Sequence, residues 1–189
     1  METSTENVRY WASTNPNWFR GNKELNSPRV MVWCAIWGDR IVGPYSVTSL
    51  TGDAYLAMLE TFLLPILEEA PLARLRDLWF QQDGASAHYK LNVRHWLDRR
   101  FRDQWIGRAG PVEWSARSPD LTPLDYFLWG YIKSLVYLDP VSMDLAELKQ
   151  RIVLAIGTIT PEMLARVRVA FIERMHKCIA AAGLHIENF

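Results

Sequence analysis

The sequence has no hydrophobic run long enough to cross a membrane. No apolar stretch reaches the roughly 18 residues that a membrane-spanning helix requires, and Met1 to Asn7 are polar, with no signal-peptide core. Cysteine is scarce too. Cys34 and Cys178 stand alone in apolar settings, which is untypical of a disulfide scaffold and indicates a reducing compartment. We therefore expect a soluble, intracellular protein without a membrane partner.

The sequence also lacks an excess of charge of either sign. Lys plus Arg and Asp plus Glu number 21 each, so the formal net charge is zero. Proteins that hold DNA by its phosphates are usually basic, and this balance argues mildly against strong, sequence-independent DNA binding. The charge is uneven, however, because the segment from Lys90 to Arg117 has seven Lys or Arg against three Asp or Glu. A DNA contact is best sought there.

What the sequence does contain is enough apolar surface for a core. Hydrophobic residues make up 49% of the 189 residues, and nine residues are Trp. Such a chain can bury a sizeable core as one domain and does not have the composition of a disordered protein. It shows neither an internal repeat nor a low-complexity tract.

The first half of the chain predicts a hairpin followed by a helix. Two β-branched and aromatic runs, Val30–Trp37 and Ile41–Val47, flank Gly38 and are typical of a β-hairpin. Thr51 or Asp53 can cap the helix that follows. Proline lacks the N–H that a helix needs, so we expect Pro65 to kink or shorten this helix near Phe62.

The second half predicts further strands and helices in alternation. A strand at 78–82 is followed by a helix from Ser86, with one apolar face made of Tyr89, Val93, Trp96, Leu97 and Phe101. A short strand at 112–114, a helix around Asp125 and amphipathic helices at 144–157 and 160–182 complete the chain. This order is that of a mixed α/β domain.

Two stretches hold the strongest candidates for a functional site. The first, LWFQQDGASAH from Leu78 to His88, is an apolar run that stops on Asp83, typical of a buried strand with a carboxylate at its C-terminal end. The second, RSPDLTPLDYFLWG from Arg117 to Gly130, sets Asp125 in the first turn of a helix. Two acids on different elements suit a divalent cation such as Mg²⁺, which takes carboxylate and phosphate oxygens.

Each acid also has a purely structural interpretation. Asp83 and Gly84 form a frequent turn pair. Asp125 lies three residues after Thr122, which is the spacing of a capping box worth about 1 kcal/mol of helix stability. Asp120 competes with Asp125 for a metal-binding role.

Taken together, the two stretches resemble the second and third acids of the DDE transposases of the mariner superfamily. QQDGASAH is followed, after 41 intervening residues, by the last Asp of SPDLTPLD. The similarity extends through VMVWCAIWGDRIVG, through IGRAGPVEWSARSPDL and into the C-terminal helices, so it covers nearly the whole chain. The resemblance implies that Asp83 and Asp125 are catalytic, metal-ligating acids. Because the family's third acid follows the second proline, Asp120 is then a turn residue.

The resemblance implies a ribonuclease-H-like fold, with a mixed sheet, flanking helices and a C-terminal helical extension. In this family the first catalytic Asp lies on an opening strand upstream of the stretch that matches NVRYWA, and the sequence has no room for that strand after Met1. We therefore expect a domain truncated at its N-terminus, with an irregular arm at 1–29, the catalytic core at 30–138 and C-terminal helices packed on it at 139–189. Sheet edges left open by a missing strand favour association, as in a homodimer.

The implied chemistry is metal-dependent phosphoryl transfer on DNA in the nucleus. In the complete family, three carboxylates hold two Mg²⁺ or Mn²⁺ ions roughly 4 Å apart for in-line attack at a phosphodiester. The result is cleavage at transposon ends, followed by strand transfer. DNA is the implied partner, and no small-molecule cofactor is implied. Because one acid of three is absent, we predict little or no transposase activity for this chain alone.

Other residues carry further predictions. His88, Arg94 and Arg117 are candidate nucleic-acid contacts, although a His at a helix start is more often structural. Arg94 belongs to a set that forms either a phosphate-facing stripe or, more commonly, a solvated helix face: Arg94, Arg99, Arg100 and Arg102. Five tryptophans are interpreted as core residues: Trp33, Trp37, Trp79, Trp96 and Trp129.

Three interpretations of the chain stay open. The first is a degenerate catalytic domain from a transposon relic, in which case the location could be cytoplasmic instead of nuclear. Alternatively, it is a fragment of a longer, active enzyme, which an in-frame Asp-Glu segment upstream of Met1 would favour. The third interpretation is a domesticated module that binds nucleic acid or protein, which metal-independent DNA binding by a basic patch at 94–117 would favour.

Overall fold

The described part of the chain has two small sheets with helices around them. The computed structural model describes residues 29–47, 49–114, 118–138 and 144–183. In chain order the elements are β1 (Met31–Trp37), β2 (Arg40–Val47), α1 (Gly52–Met58), α2 (Leu64–Glu68), α3 (Leu72–Leu75), β3 (Phe80–Gln81), α4 (Leu91–Phe101), β4 (Trp105–Gly107), β5 (Val112–Glu113), α5 (Trp129–Val136), α6 (Leu145–Gly157) and α7 (Pro161–Ala180). The mixed α/β class predicted from the sequence is confirmed.

The predicted hairpin is present. β1 and β2 pair in antiparallel fashion, with Trp37 opposite Arg40 across the turn, and Gly38 takes a φ of +61°. The register shifts between Trp33 and Ala35, which marks a bulge. Gly43 lies opposite this bulge with a φ of +113°, and a Cβ there would approach the carbonyl oxygen of Trp33 to 2.9 Å. Only glycine fits this position without strain.

The helix that contains Pro65 runs further than predicted. It begins as α1, with Thr51 Oγ1 accepting a hydrogen bond from the N–H of Ala54, and ends with α2 at Glu68. Between them the chain makes a π-helical turn, Leu59–Leu63, and the N–H of Leu64 bonds back to the carbonyl of Leu59. The prediction that Pro65 shortens the helix near Phe62 is therefore wrong. We attribute the continuity to the wider π turn, which precedes the residue that lacks an N–H.

The strand before Asp83 is shorter than the predicted 78–82. Only Phe80 and Gln81 are in β3. Leu78 and Phe80 pack against a core, whereas Trp79 is 49% exposed, so its assignment to the core is wrong. Side chains alternate between the two faces of an extended chain, and Trp79 takes the face opposite to its neighbours.

The second sheet is parallel and has the order β3-β4-β5. Phe80 is paired with Trp105 and Gln81 with Ile106, and the N–H of Gln82 continues the ladder to the carbonyl of Ile106 at 3.0 Å. Within the described residues this sheet is not hydrogen-bonded to the β1-β2 hairpin. The parallel pairing brings the carboxyl ends of β3 and β4 to the same edge, which is where Asp83 lies.

Two hydrophobic clusters hold these layers together. The first joins the hairpin and the helix from Gly52 to Glu68 with α4 and β4, and its most buried members include Met58, Leu59, Val93, Leu97 and Trp105. Trp33 and Trp37 pack on this cluster and Trp96 is part of it, as predicted. Tyr89, in contrast, is 37% exposed and lies outside the apolar face of α4 assigned to it. The helix begins only at Leu91, after a turn at 86–89.

The second cluster packs α5 and α6 against the hairpin. It contains Cys34 of β1, Leu128 and Ile132 around α5, and Leu148 and Ile156 of α6, with Trp129 packed beside it. Burial raises the pKa of the Cys34 thiol to about 12. Both C-terminal helices have N-caps, because Asp144 and Thr160 accept hydrogen bonds from the N–H groups of Glu147 and Met163.

Some sequence predictions stay untested. Residues 1–28 lie outside the described residues, and so does Arg117. The division into an arm at 1–29, a core at 30–138 and C-terminal helices at 139–189 stays a prediction. No helix in the described ranges is long and apolar enough to cross a membrane.

Candidate active site

Asp83 lies at the carboxyl edge of the parallel sheet, two residues beyond β3. Its Oδ1 accepts a hydrogen bond of 3.1 Å from the N–H of Ala85, so the structural interpretation of Asp83 as a turn residue also holds. The side chain is 47% exposed. A turn role and a ligand role are compatible here, because the turn fixes one oxygen and leaves the carboxylate accessible.

His88 contacts this carboxylate. Its Nδ1 lies 2.6 Å from Oδ1 of Asp83, although the ring N–H is not aligned for a regular hydrogen bond. The contact with His88 lowers the pKa of Asp83; the N–H of Ala85 adds to this effect and burial opposes it. The structure therefore places His88 against an acid. It is a carboxylate partner first, and its predicted nucleic-acid contact stays a prediction.

A buried layer behind His88 holds it in place. The Tyr55 ring lies 4.2 Å from the His88 ring, centroid to centroid, and the Tyr55 hydroxyl donates to Oε1 of Gln82 at 3.1 Å. Gln82, only 7% exposed, donates from Nε2 to the carbonyl of His88 at 3.1 Å. Burial raises the pKa of Tyr55, so its hydroxyl stays protonated and can donate. Sequence reasoning missed this layer, and the position of Gln82 next to Asp83 was its only signal.

Asp125 is positioned by an unusual first turn. It follows Pro123 and lies in a π-helical turn, Leu124–Leu128, which leads directly into α5. The predicted capping box is not formed, because the N–H of Asp125 donates to the backbone carbonyl of Thr122 at 2.9 Å and not to its hydroxyl, which itself donates to the carbonyl of Ser118 at 3.2 Å. Single π turns in helices occur frequently at functional sites. The capping interpretation of Asp125 is thus wrong, and its carboxylate is available for another role.

The two candidate acids are electrostatically coupled. Burial raises the pKa of Asp125, and the negative charge of Asp83 raises it further, while Lys133 acts in the opposite direction. Two carboxylates that are far apart in sequence therefore lie close enough in the fold to repel each other. Repulsion of this kind is relieved by a cation.

Asp120, the competing acid, is tied into the fold. It lies in a short 3₁₀ turn, Pro119–Leu121, and is 8% exposed. Its backbone carbonyl accepts a hydrogen bond of 2.9 Å from Nη1 of Arg174 on α7. The Arg174 guanidinium also lies over the ring of Tyr126, so this turn anchors α7 beside the Asp125 segment.

The donor set suits a hard cation but is small. Carboxylate oxygens are the ligands that Mg²⁺ and Mn²⁺ prefer. Within the described residues, however, no group of three His, Cys, Asp or Glu could hold a metal ion. A metal site built on Asp83 and Asp125 would have two carboxylates from the described part of the chain.

Basic residues lie at the same edge. The guanidinium of Arg94 on α4 and that of Arg108, just beyond β4, both lie over the ring of Tyr89, with 4.8 Å and 4.3 Å from Cζ to the ring centroid. Arg99, Arg100 and Arg102 are exposed at the C-terminal end of α4. The predicted arginine stripe is therefore divided, since Arg94 is separated from the others by its packing on Tyr89.

Comparison with known proteins shows what this arrangement is similar to. No protein-family model matches the sequence. The chain is 28% identical over 156 residues to the Tc3 transposase of Caenorhabditis elegans and 33% identical over 101 residues to the Tcb1 transposase of Caenorhabditis briggsae. These matches span 82% and 53% of this chain, but only 44% and 33% of the two relatives. The chain thus spans less than half the length of the curated relatives it matches.

Solved structures match over most of the chain. The Mos1 transposase catalytic domain with raltegravir and Mg superimposes with a TM-score of 0.68 at 20% identity, covering 84% of this chain and 77% of that one. The chain shares the fold of the Mos1 transposase catalytic domain. A pre-cleavage Mos1 transpososome also matches, with a TM-score of 0.72 at 19% identity over 95% of this chain and 52% of that one. The resemblance and the ribonuclease-H-like fold predicted from the sequence are confirmed.

Proposed function

We propose that Asp83 and Asp125 are metal-ligating acids in a DNA-transposition site of the mariner type. The observation that carries this proposal is the coupling between them, because the charge of Asp83 raises the pKa of Asp125. Asp83 ends a strand and Asp125 starts a helix. Their convergence is what a divalent-metal site needs, and the transposase relatives and the shared fold support it.

The residues around Asp83 prepare it to bind a cation. The turn N–H of Ala85 and Nδ1 of His88 both contact Oδ1, and within the described residues no hydrogen bond engages Oδ2. A lowered pKa keeps Asp83 ionised at neutral pH. Tyr55 and Gln82 fix His88, so the orientation of the carboxylate is set before any ligand arrives.

Asp125 contributes a second, tunable charge. Its raised pKa means that ionisation next to Asp83 costs free energy in the absence of a cation. Asp83 and Asp125 would hold a divalent ion, Mg²⁺ or Mn²⁺, which would offset that cost and would supply activation of a water or a 3′-hydroxyl for in-line attack at a phosphodiester. Structures of the Mos1 catalytic domain with Mg and with Mn are among those that this fold matches.

We propose further that the chain by itself has little or no cleavage activity. Two acids are identified, and within the described residues no third ligand joins them. The partners that follow from the site are DNA and, if the missing ligand comes from another chain, a second copy of this one. Because its substrate would be chromosomal DNA, we propose a nuclear location.

A non-catalytic module is the second candidate function. The small metal-ligand set and the exposed arginines at the sheet edge favour a protein that retains DNA binding without cleavage. The two candidates differ in their response to metal. Cleavage requires the cation, whereas backbone binding through arginines does not.

Thermal unfolding with and without millimolar Mn²⁺ tests the metal site. Metal at about 100 times its Kd adds roughly 2.7 kcal/mol of stability to a protein that binds it, which moves the midpoint by several degrees. We expect this shift in the parent chain and in the control Asp77→Asn, which removes an exposed acid outside the site. Asp83→Asn and Asp125→Asn should lose the shift, and Asp120→Asn should keep it.

Two results would contradict the assignment. A melting shift that survives Asp83→Asn or Asp125→Asn would mean that the metal binds elsewhere. A shift that is lost in Asp120→Asn but kept in Asp125→Asn would mean that Asp120, and not Asp125, is the metal ligand. Nicking of supercoiled plasmid in Mn²⁺ tests activity separately. Cleavage that disappears in Asp83→Asn would disprove the proposed inactivity.

A further inference from the structure

The guanidinium groups of two arginines lie over the ring of Tyr89. The Cζ atoms of Arg94 and Arg108 lie 4.8 Å and 4.3 Å from the ring centroid, both at cation–π distance. The two arginines come from different elements, since Arg94 is on α4 and Arg108 follows β4. Two like charges held around one aromatic ring repel each other, and an anion between them would offset that repulsion.

Neither guanidinium is neutralised by a carboxylate in the part of the chain that the structure describes. Among the residues that the structure describes, the ion pairs of Arg and Lys involve other side chains, and neither Arg94 nor Arg108 contacts a carboxylate. Nε of Arg94 is buried and has no hydrogen-bond partner in the described ranges. Buried polar atoms in folded proteins nearly always have a partner. Because Nε of Arg94 is not accessible from solvent, a phosphate contact by this pair would use the terminal N–H groups of the two guanidiniums.

The sheet register places this cluster beside Asp83. Gln81 of β3 is paired with Ile106 of β4 in parallel, and Asp83 and Arg108 each lie two residues further on. Both therefore leave the sheet at the same edge, on neighbouring strands. Tyr89 directly follows His88, which contacts the Asp83 carboxylate. Ligands of sheets with parallel strands bind at this carboxyl edge.

We propose that Arg94 and Arg108, held on Tyr89, form a clamp for a backbone phosphate of DNA and position the strand beside Asp83. This inference rests on the proposed function and deepens it, because it names the residues that hold the substrate. The aromatic ring keeps the two guanidinium groups in place, so that less rotamer freedom is lost when the phosphate binds. The clamp contains no metal ligand, and its binding is independent of Mg²⁺ or Mn²⁺.

The alternative is that the arginines simply cover an exposed aromatic ring. Long basic side chains often lie along apolar surface with their charge in water. A covering role predicts that removing the charges has no effect on DNA affinity. A clamp predicts that affinity falls and that its dependence on salt weakens, because each lost phosphate contact lowers the slope of log K against log salt by about 0.9 for duplex DNA.

Binding of a fluorescein-labelled duplex, followed by anisotropy over a salt series in EDTA, tests the clamp. We expect Arg94→Gln/Arg108→Gln to bind more weakly than the parent chain and to lower the salt slope by about 0.9, because one phosphate contact is lost. Arg99→Gln/Arg100→Gln is the matched control, since it removes the same charge from exposed positions on α4. This control should change the slope far less.

Single variants separate the role of the ring from that of the charge. Tyr89→Phe keeps the ring and should bind like the parent chain, whereas Tyr89→Ala should weaken binding. Arg108→Gln alone, at an exposed position, should weaken binding less than the double variant does, without loss of folding. Circular dichroism melts of every variant check that the fold is retained.

The outcomes separate the clamp from the metal site. Equal slopes for the two double variants would overturn the clamp, either because contact is spread along α4 or because the chain does not bind DNA. Because the assay contains no divalent metal, DNA binding that depends on Arg94 and Arg108 would support the clamp even if Asp83→Asn left the Mn²⁺ melting shift unchanged. Conversely, a metal shift that depends on both acids, with DNA binding indifferent to the arginines, would overturn the clamp alone.

Discussion

The ring of His88 lies between the ring of Tyr55 and the carboxylate of Asp83. The ring centroids of Tyr55 and His88 are 4.2 Å apart, and Nδ1 of His88 is 2.6 Å from Oδ1 of Asp83. The exposed acid is thereby connected to a residue of α1 that is 5% exposed. Substitutions at Tyr55 in the core should therefore affect the candidate site at Asp83.

Tyr55→Phe should destabilise the protein although the ring stays in place. The substitution removes the hydroxyl that donates to Gln82 and leaves a buried amide oxygen without that donor. Such a loss costs about 1–3 kcal/mol, or a few degrees in melting temperature for a chain of this size. Tyr131→Phe is the control, because its hydroxyl contacts Thr158 at an exposed position. Equal melting temperatures for the two variants would show that the Tyr55 hydroxyl has no such role.

His88→Ala should raise the pKa of Asp83 towards its ordinary value. The contact with His88 is the main cause of the lowered pKa in the parent chain. A carboxyl with a lowered pKa in the folded state contributes stability above its unfolded pKa and loses it as pH falls through the folded pKa. The variant should therefore lose less stability on acidification below about pH 4.

Carboxyl carbon NMR titration of Asp83 measures this shift directly, and urea unfolding at several pH values measures its effect on stability. His95→Ala, at an exposed position on α4, is the matched control and should leave the Asp83 titration unchanged. An unchanged Asp83 titration in His88→Ala would refute the assigned cause.

Asp125→Asn should stabilise the metal-free protein at neutral pH. A group whose folded pKa is raised contributes stability below its unfolded pKa and loses it as pH rises through the folded value. The neutral amide removes this cost, and we expect a gain of up to about 1 kcal/mol for a partly exposed group. Asp83→Asn should have the opposite sign, because its charge is favoured by His88.

Denaturant unfolding at pH 7 and pH 3 checks both signs. At pH 3 the carboxyl of Asp125 is protonated, so the gain from Asp125→Asn should shrink. A loss of stability in metal-free Asp125→Asn at pH 7 would mean that Asp125 is engaged in a favourable contact instead of being repelled by Asp83.

Leu148→Ala should destabilise the whole domain if α6 is integral to it. Leu148 is 3% exposed and packs in the cluster that also contains Cys34 of β1 and Leu128. Truncation of a buried leucine costs about 2–5 kcal/mol. Leu154→Ala on the same helix is the control, since Leu154 is 62% exposed and should change stability by less than about 0.5 kcal/mol. Two separate melting transitions in Leu148→Ala would show that α6 folds independently.

Local chemistry made several features predictable. The hairpin around Gly38, the cap at Thr51 and the helices predicted at 144–157 and 160–182 depend on residues that are neighbours in sequence. Their backbone requirements can therefore be inferred from composition and spacing. The prediction of a capping box at Thr122 was wrong. A hydroxyl can bond to several nearby backbone groups, and the sequence pattern does not say to which one.

Features that depend on a distant neighbour were less predictable. Trp79 is hydrophobic and was assigned to the core, yet only one face of its strand is covered. Tyr89 fits the apolar period of α4 but lies before the helix begins, where Arg94 and Arg108 pack on it. The hydrophobic period of a helix or strand predicts which of its faces is apolar, but not which other segment covers that face. The π turn before Pro65 is a further example, because it lets the helix continue past a residue without an N–H, and helix propensity does not predict it.

The sequence by itself determined the chemistry that is present: an acid after an apolar strand, an acid at a helix start, and a basic segment between them. It also determined the family resemblance, because motif spacing survives at low identity. Tertiary structure decided which of these groups meet. Parallel pairing of β3 with β4 put Asp83 and Arg108 at one edge, and the packing of α1 put Tyr55 behind His88. Such contacts arise from burial and register between segments tens of residues apart, and local preferences contain no information about them.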